Sequence, residues 1–292
     1  MLLLLLACAQ PEPLIPRGAP IAPIVATAAA ATPSPPATAD PCQPGWDAPA
    51  GAWTPIAPGV EHAWLRFDPP PAIGCNRLDV VRVDPATAHL SAGMRSLPGG
   101  TLHTAMDWCT KLGAAVTINL GMFETDFVTH TGYLRAGEHT NNARWVGSYK
   151  SALWWDDGHA AIVDLESPGS NAFPAAQGVV QNLRLISAPG RALWAENGKQ
   201  WSEAALAQDD KGRLLLLHTR AAFSMAELTR RLVAMPLGVQ RAMHLEGGPE
   251  ASLAICAEGH RLEAVGSYET GFFDDRNRKA WPMPNVLAVG QR

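Results

Sequence analysis

The run Ala114-Ala115-Val116-Thr117-Ile118-Asn119-Leu120-Gly121-Met122-Phe123 decides how this chain is built. Residues 114–120 are apolar and β-branched, the pattern of a buried strand, and Gly121 stops them. A strand that ends in Asn119 and then turns sharply at glycine delivers a polar group to a corner that a ligand can approach. Glu124 and Asp126 follow within a few residues.

Outward from this strand, apolar patterning predicts an alternation of strands and helices. Before it, Leu78–Asp84 alternates as a strand does, and Leu102, Ala105, Met106 and Cys109 recur at helical spacing through 101–112. After it come weaker strands at 132–135, 151–155 and 160–165. Segments 204–208 and 213–219 flank Asp209-Asp210-Lys211-Gly212, a hairpin signal. Ser224 opens a second helix with Glu227 three residues on, the pattern of a capping box. Strands 241–245 and 285–289 complete the set. The fold expected is α+β: a mixed β-sheet flanked by helices, in a single domain after a disordered N-terminal tether.

The ends of the chain differ in kind. Met1 precedes five leucines, then Ala7 and Cys8, and an apolar run closing on a small residue before cysteine resembles a bacterial lipoprotein signal, with Cys8 the lipidated residue. No Lys or Arg precedes the leucines and the run is short, so the start of the signal is expected upstream of Met1 or trimmed. From Ala9 to Pro41 there are 10 Ala and 9 Pro, no aromatic residue, and only Glu12, Arg17 and Asp40 charged. Such a stretch buries too little apolar surface to offset its ordering entropy and reads as an extended tether. The expected organisation is a signal over 1–8, a Pro/Ala-rich disordered linker over 9–58, and a folded domain over 59–292. The implied location is the periplasmic or outer face of a bacterial membrane, reached through a lipid anchor.

Composition excludes several function classes. Twenty-three basic residues against 27 acidic ones leave a net charge of -4, which is not the balance of a nucleic-acid binder. No phosphate-binding loop, GxSxG elbow, SxxK pair or HExxH helix is present. Cys42, Cys75, Cys109 and Cys256 have no zinc spacing, and neither metal nor cofactor is expected. In an exported chain they allow two disulfides in three connectivities, with a buried free thiol at Cys109 the other reading. Asp209, Asp210, Asp274 and Asp275 read as solvated turns rather than calcium ligands. The ten Trp residues, among them Trp154, Trp155, Trp194 and Trp201, serve either cores or sugar faces.

A second corner mirrors the first: His244-Leu245-Glu246-Gly247-Gly248-Pro249-Glu250 again ends a strand on a polar group before glycine. In their order and separation, Asn119-Leu120-Gly121-Met122-Phe123 and Leu245-Glu246-Gly247-Gly248 resemble the paired motifs of the phosphodiester glycosidase domain family. That family carries an Asn-Gly-Gly-aromatic-Phe element after a central strand and a late Leu-Asp-Gly-Gly element. Val180-Gln181-Asn182-Leu183-Arg184-Leu185 between them is similar to a third family segment. The resemblance spans about 60–289. It departs where the family's Asp becomes Glu246, and where the arginine often found at the hairpin strand gives way to Trp201-Ser202-Glu203.

The resemblance implies hydrolysis of a sugar-1-phosphodiester or related glycosidic bond, with a carbohydrate or glycan-phosphate as partner. Such a reaction asks for a carboxylate that activates water or stabilises an oxocarbenium-like state. Glu246 is the candidate, with Glu250 or Asp126 as its partner. Asn119, Gln181, Arg184 and His244 are the candidate substrate donors, Gly121 and Phe123 the adjoining wall, and the amides of Gly247 and Gly248 a small anion nest. The competing expectation is a non-catalytic glycan-binding or adaptor lipoprotein on the same fold.

Overall fold

The computed structural model describes Cys42 and residues 48–167, 173 and 176–291. The signal-like segment with Cys8, and the tether as far as residue 47 apart from Cys42, lie outside the described residues. Regular pairing begins within the stretch read as linker, at Thr54.

Three sheets carry the domain. The largest has eight strands in the order β1 (Thr54–Ala57), β2 (Val60–Leu65), β3 (Leu78–Val83), β14 (Leu214–Phe223), β13 (Trp201–Asp209), β15 (Val239–Gly247), β11 (Arg184–Ser187) and β12 (Arg191–Ala192). A five-stranded sheet runs β17 (His260–Val265), β16 (Ser252–Ala257), β5 (Val116–Asn119), β18 (Asn285–Gln291) and β4 (Ala88–Met94). The third runs β7 (His139–Asn142), β6 (Leu134–Ala136), β10 (Gly178–Asn182), β8 (Ser151–Trp155) and β9 (Ala160–Asp164). Two α-helices accompany them among the described residues, α1 (Ala105–Leu112) and α2 (Met225–Ala234).

This corrects the expected class. Every ladder between these strands is antiparallel, so the sheets are not mixed, and the domain is β-rich with only two helices. The physical reason lies in the connections. Tight turns such as Asp209–Gly212 return the chain directly beside itself, whereas a parallel neighbour needs a long crossover.

Burial explains which strands were legible. On β14, Leu214 and Leu216 enter one core and Leu215 and Leu217 another, so both faces of the large sheet are covered. The first core joins all three sheets through residues such as Val81, Ile118 and Trp155. The second packs Leu228 and Leu232 of α2 on the far face of the large sheet. A third sets Met106, Trp108 and Cys109 of α1 against Val286 and Ala288 of β18.

Both helices start on the residues that cap them. Thr104 accepts from the Asp107 amide at 3.2 Å, and Ser224 from the Glu227 amide at 3.1 Å. α1 ends at Gly113 in the left-handed region. It is pinned to β16 by a disulfide between Cys109 and Cys256, while Cys42 pairs with Cys75. Cys109 is therefore not a free thiol.

The crossing that matters for function follows β15. This strand pairs with β13 in the large sheet, then a single 3₁₀ turn, Gly248–Glu250, transfers the chain into β16 of the smaller sheet. β16 runs antiparallel to β5, with Leu253 opposite Ile118, so the end of β5 meets the end of β15.

Candidate active site

Asn119 makes that meeting rigid. Its Oδ1 accepts from the Ser252 amide at 2.8 Å and its Nδ2 donates to the Glu250 carbonyl at 3.1 Å. One amide thus satisfies an acceptor of the 3₁₀ turn and a donor at the start of β16, and holds the two strand tips together. Beyond it, Gly121 has φ +134°, and a Cβ there would lie 2.3 Å from His130 Nε2. Only glycine lets the backbone pass that ring and carry Met122 and Phe123 forward.

Past the tips opens a cleft of about 480 Å³. Met122, Phe123 and Thr131 line it from the segment after the first tip, and Glu246, Gly247 and Glu250 from the second. Leu183, Trp201, Met225, His244, Glu269 and Phe272 form the rest of the wall. Trp201 lies so close over Gly247 that a Cβ there would sit 2.7 Å from its ring.

The electrostatics of the cleft are set by four glutamates and one histidine. Glu203, at the start of β13, is buried and takes hydrogen bonds from His244 Nδ1 at 2.6 Å and Trp201 Nε1 at 2.7 Å. A carboxylate acceptor requires the proton on Nδ1, so this contact fixes the imidazole's tautomer and orientation. Burial works against the charged imidazole. The fields of Glu203, Glu246 and Glu269 and the Glu203 hydrogen bond outweigh it and raise the His244 pKa.

Glu246 is pushed up to about 8, first by loss of hydration in the wall and then by Glu250 and Glu203. His244 and the Gly247 amide, which donates to Glu246 Oε1 at 3.1 Å, oppose that rise. Glu250 is raised to about 6 by burial and by Glu269, and Glu269 is itself raised by burial. Carboxyl groups that share one partly dry hollow resist simultaneous ionisation.

The cleft therefore brings together Glu246, Glu250, His244, Phe123 and Gly247 of the sequence candidates, and leaves others out. Asp126 is exposed and occupied with its own turn, bonding the amides of Val128 and Thr129 and the Thr129 hydroxyl, which together lower its pKa. Gln181 is buried, but its amide is spent on the backbone of Val146 and Tyr149. Arg184 faces away, with Nη1 2.6 Å from Asp164 and 2.9 Å from Glu166. Asn119 holds the tips together rather than lining the hollow. Gly248 is not in the lining but lies close against Glu269, which is. The expected Gly247–Gly248 nest is already engaged at Gly247 by Glu246.

Among the wall residues absent from the sequence candidates are Glu269, Thr131 and Phe272, and with them Glu203, buried against His244 and Trp201. Glu203 carried a faint signal, a carboxylate leading into the apolar run 204–207. The others stand in irregular segments, where neither periodicity nor spacing marks them.

The fold has solved counterparts. The catalytic domain of zebrafish N-acetylglucosamine-1-phosphodiester alpha-N-acetylglucosaminidase, auto-inhibited by its pro-peptide, matches with a TM-score of 0.55 over 82% of this chain and 85% of that one, at 14% identity. A hypothetical protein from Synechocystis matches with a TM-score of 0.54 over 84% of this chain and 64% of that one, also at 14% identity. At such identity the likeness is one of fold. Among curated protein sequences none matches. The phosphodiester glycosidase family model matches residues 99–290, a stretch that contains both strand tips and the whole lining of the cleft, and this chain belongs to that family.

Proposed function

We propose that the chain is a glycoside hydrolase that cleaves a sugar-1-phosphodiester or a related glycosidic bond in an envelope or extracellular glycan. Glu246 is the carboxyl group at the reacting centre and Glu250 its partner. The observation that carries this reading is the convergence of Glu246, Glu250 and Phe123, from strand tips far apart in sequence, on one cleft. The chemistry fits the groups present. Departure of the leaving group puts positive charge on the sugar's anomeric carbon and ring oxygen, and carboxylates beside it stabilise that charge. Trp201, Phe123 and Phe272 offer apolar walls for sugar faces. His244, oriented by Glu203, supplies a donor to a substrate oxygen.

Turnover tests it. Full-length protein is incubated with a panel of sugar-1-phosphodiesters and simple glycosides, and released sugar is measured by chromatography. Glu246→Gln is expected to lower kcat by about 10²-fold or more, the scale of a lost general acid or base. Retained turnover in Glu246→Gln removes that residue's assignment. Sugar binding by calorimetry without any product overturns the hydrolase reading in favour of a glycan-binding protein.

We further propose that Cys8 carries a lipid anchor and that the Pro/Ala-rich residues 9–41 tether the domain to a bacterial envelope. The lipoprotein-like start and the Pro/Ala composition support this. Cys8→Ala is expected to move the protein from the membrane to the soluble fraction; unchanged membrane association contradicts it.

A further inference from the structure

We infer that the cleft takes an uncharged glycoside whose leaving group is an alcohol, and that it disfavours an anionic phosphodiester. This rests on the hydrolase reading above and narrows its substrate.

Four of the groups that the sequence offered to a phosphate are already engaged within the protein. Arg184 is paired with Asp164 and Glu166, and Gln181 with the backbone of Val146 and Tyr149. Asn119 bonds Ser252 and Glu250, and the Gly247 amide bonds Glu246. Among the described residues no Lys or Arg lines the cleft, whereas Glu246, Glu250 and Glu269 do. Lys199 acts on Glu269 from outside the wall, Arg220 is paired with Asp275, and Arg144, which donates to the Thr131 carbonyl, is paired with Glu124. His244 is the group among these wall residues that can take a positive charge, and Glu203 stands 2.6 Å from it. A phosphodiester, which keeps a full negative charge, would enter a hollow where carboxylates outnumber cations.

The same arrangement suits an alcohol leaving group. An alkoxide is far more basic than a phosphate monoester and departs only with a proton. Glu246 Oε1 accepts from the Gly247 amide, which leaves the other oxygen to carry one. With its pKa near 8, Glu246 holds that proton at neutral pH, while Glu250, near 6, is ionised. Two carboxyl groups with pKa values pushed apart divide into acid and base.

In the step itself the bond between the anomeric carbon and the glycosidic oxygen breaks, its electron pair stays on that oxygen, and the oxygen takes the proton of Glu246. Water adds to the anomeric carbon and gives its proton to Glu250. Proton exchange with solvent restores both groups, so one water is consumed and one sugar and one alcohol are released.

The experiment compares methyl glycosides, 4-nitrophenyl glycosides and methyl phosphodiesters of the same sugars, across a panel of hexoses and N-acetylhexosamines. Expected are kcat/KM at least about tenfold higher for a methyl glycoside than for its phosphodiester, and a bell-shaped pH profile with limbs near 6 and 8. Glu246→Gln should lose about 10²-fold or more on the methyl glycoside and far less on the 4-nitrophenyl glycoside, whose leaving group needs little protonation. A phosphodiester preferred by tenfold or more, or equal Glu246→Gln losses on both glycosides, overturns the inference and leaves the hydrolase reading standing. Turnover of none of the substrates overturns both.

Discussion

At the scale of single residues, the site depends on carboxyl groups whose neighbours decide their charge. Glu203 is the least conspicuous of them and the most consequential. Its two oxygens hold Trp201 and His244, so one buried side chain sets the position of an aromatic wall and the charge of an imidazole. Glu203→Gln should lower the His244 pKa, which a two-dimensional NMR titration reads directly; an unmoved pKa contradicts the pairing. Breaking a buried pair costs about 3 kcal/mol. The sign of the pH dependence follows from the raised folded pKa of His244. The stabilisation is present below the ordinary histidine value and is lost as pH rises through the folded one. Thermal melts should show the largest gap between native protein and Glu203→Gln near pH 6, closing at higher pH. A gap that widens with pH would contradict this.

Glu246 was legible in the sequence because it precedes two glycines at a strand end. Glu203 was not, because its meaning comes from pairing: it stands opposite Gly247 on the neighbouring strand, a register that no local pattern reveals. Arg184 and Gln181 misled for the complementary reason. Their types suit a phosphate, but strands elsewhere in the fold bring Asp164 to the arginine and carbonyl groups to the glutamine.

At the scale of elements, the end of β5 is the joint on which the site turns. Asn119→Ala removes one hydrogen bond to the 3₁₀ turn and one to the start of β16, leaving the Ser252 amide without that partner, a cost of about 1–3 kcal/mol. Because the turn carries Glu250, the variant should lose activity as well as stability, with kcat falling more than KM changes. Unaltered kcat in a folded Asn119→Ala protein would show that the joint does not position the carboxyl group. β5, buried along its whole length, stood out as an apolar run, β3 through its alternation, and β13 and β14 through the hairpin signal between them. β4, β16 and β17 did not, since Ala88–Met94 and His260–Val265 mix small, polar and charged residues, and their strand conformation is dictated by neighbours rather than by alternation. Both helices read from the sequence are present as α1 and α2, but the mixed sheet is not: hairpin neighbours and long-range neighbours such as β3 with β14 and β5 with β18 pair antiparallel alike.

At the scale of the whole domain, the cleft is a consequence of one chain crossing between two sheets. The Cys109–Cys256 disulfide secures the smaller sheet on its helix side, closing a separation of 147 residues. On a chain-entropy argument its loss costs up to about 5 kcal/mol. Replacing both cysteines by alanine should therefore lower the melting temperature markedly in protein that still folds, measured by calorimetry, and an unchanged melt would place the stabilisation elsewhere. The central claim is that two distant glycine corners enclose one sugar-accepting hollow. The most direct measurement is a crystal structure of Glu246→Gln soaked with a glycoside that the native enzyme hydrolyses. The account predicts the sugar's anomeric carbon between Gln at position 246 and Glu250, with its ring against Phe123 or Trp201. A sugar bound on another face, with this cleft unaltered, would contradict it.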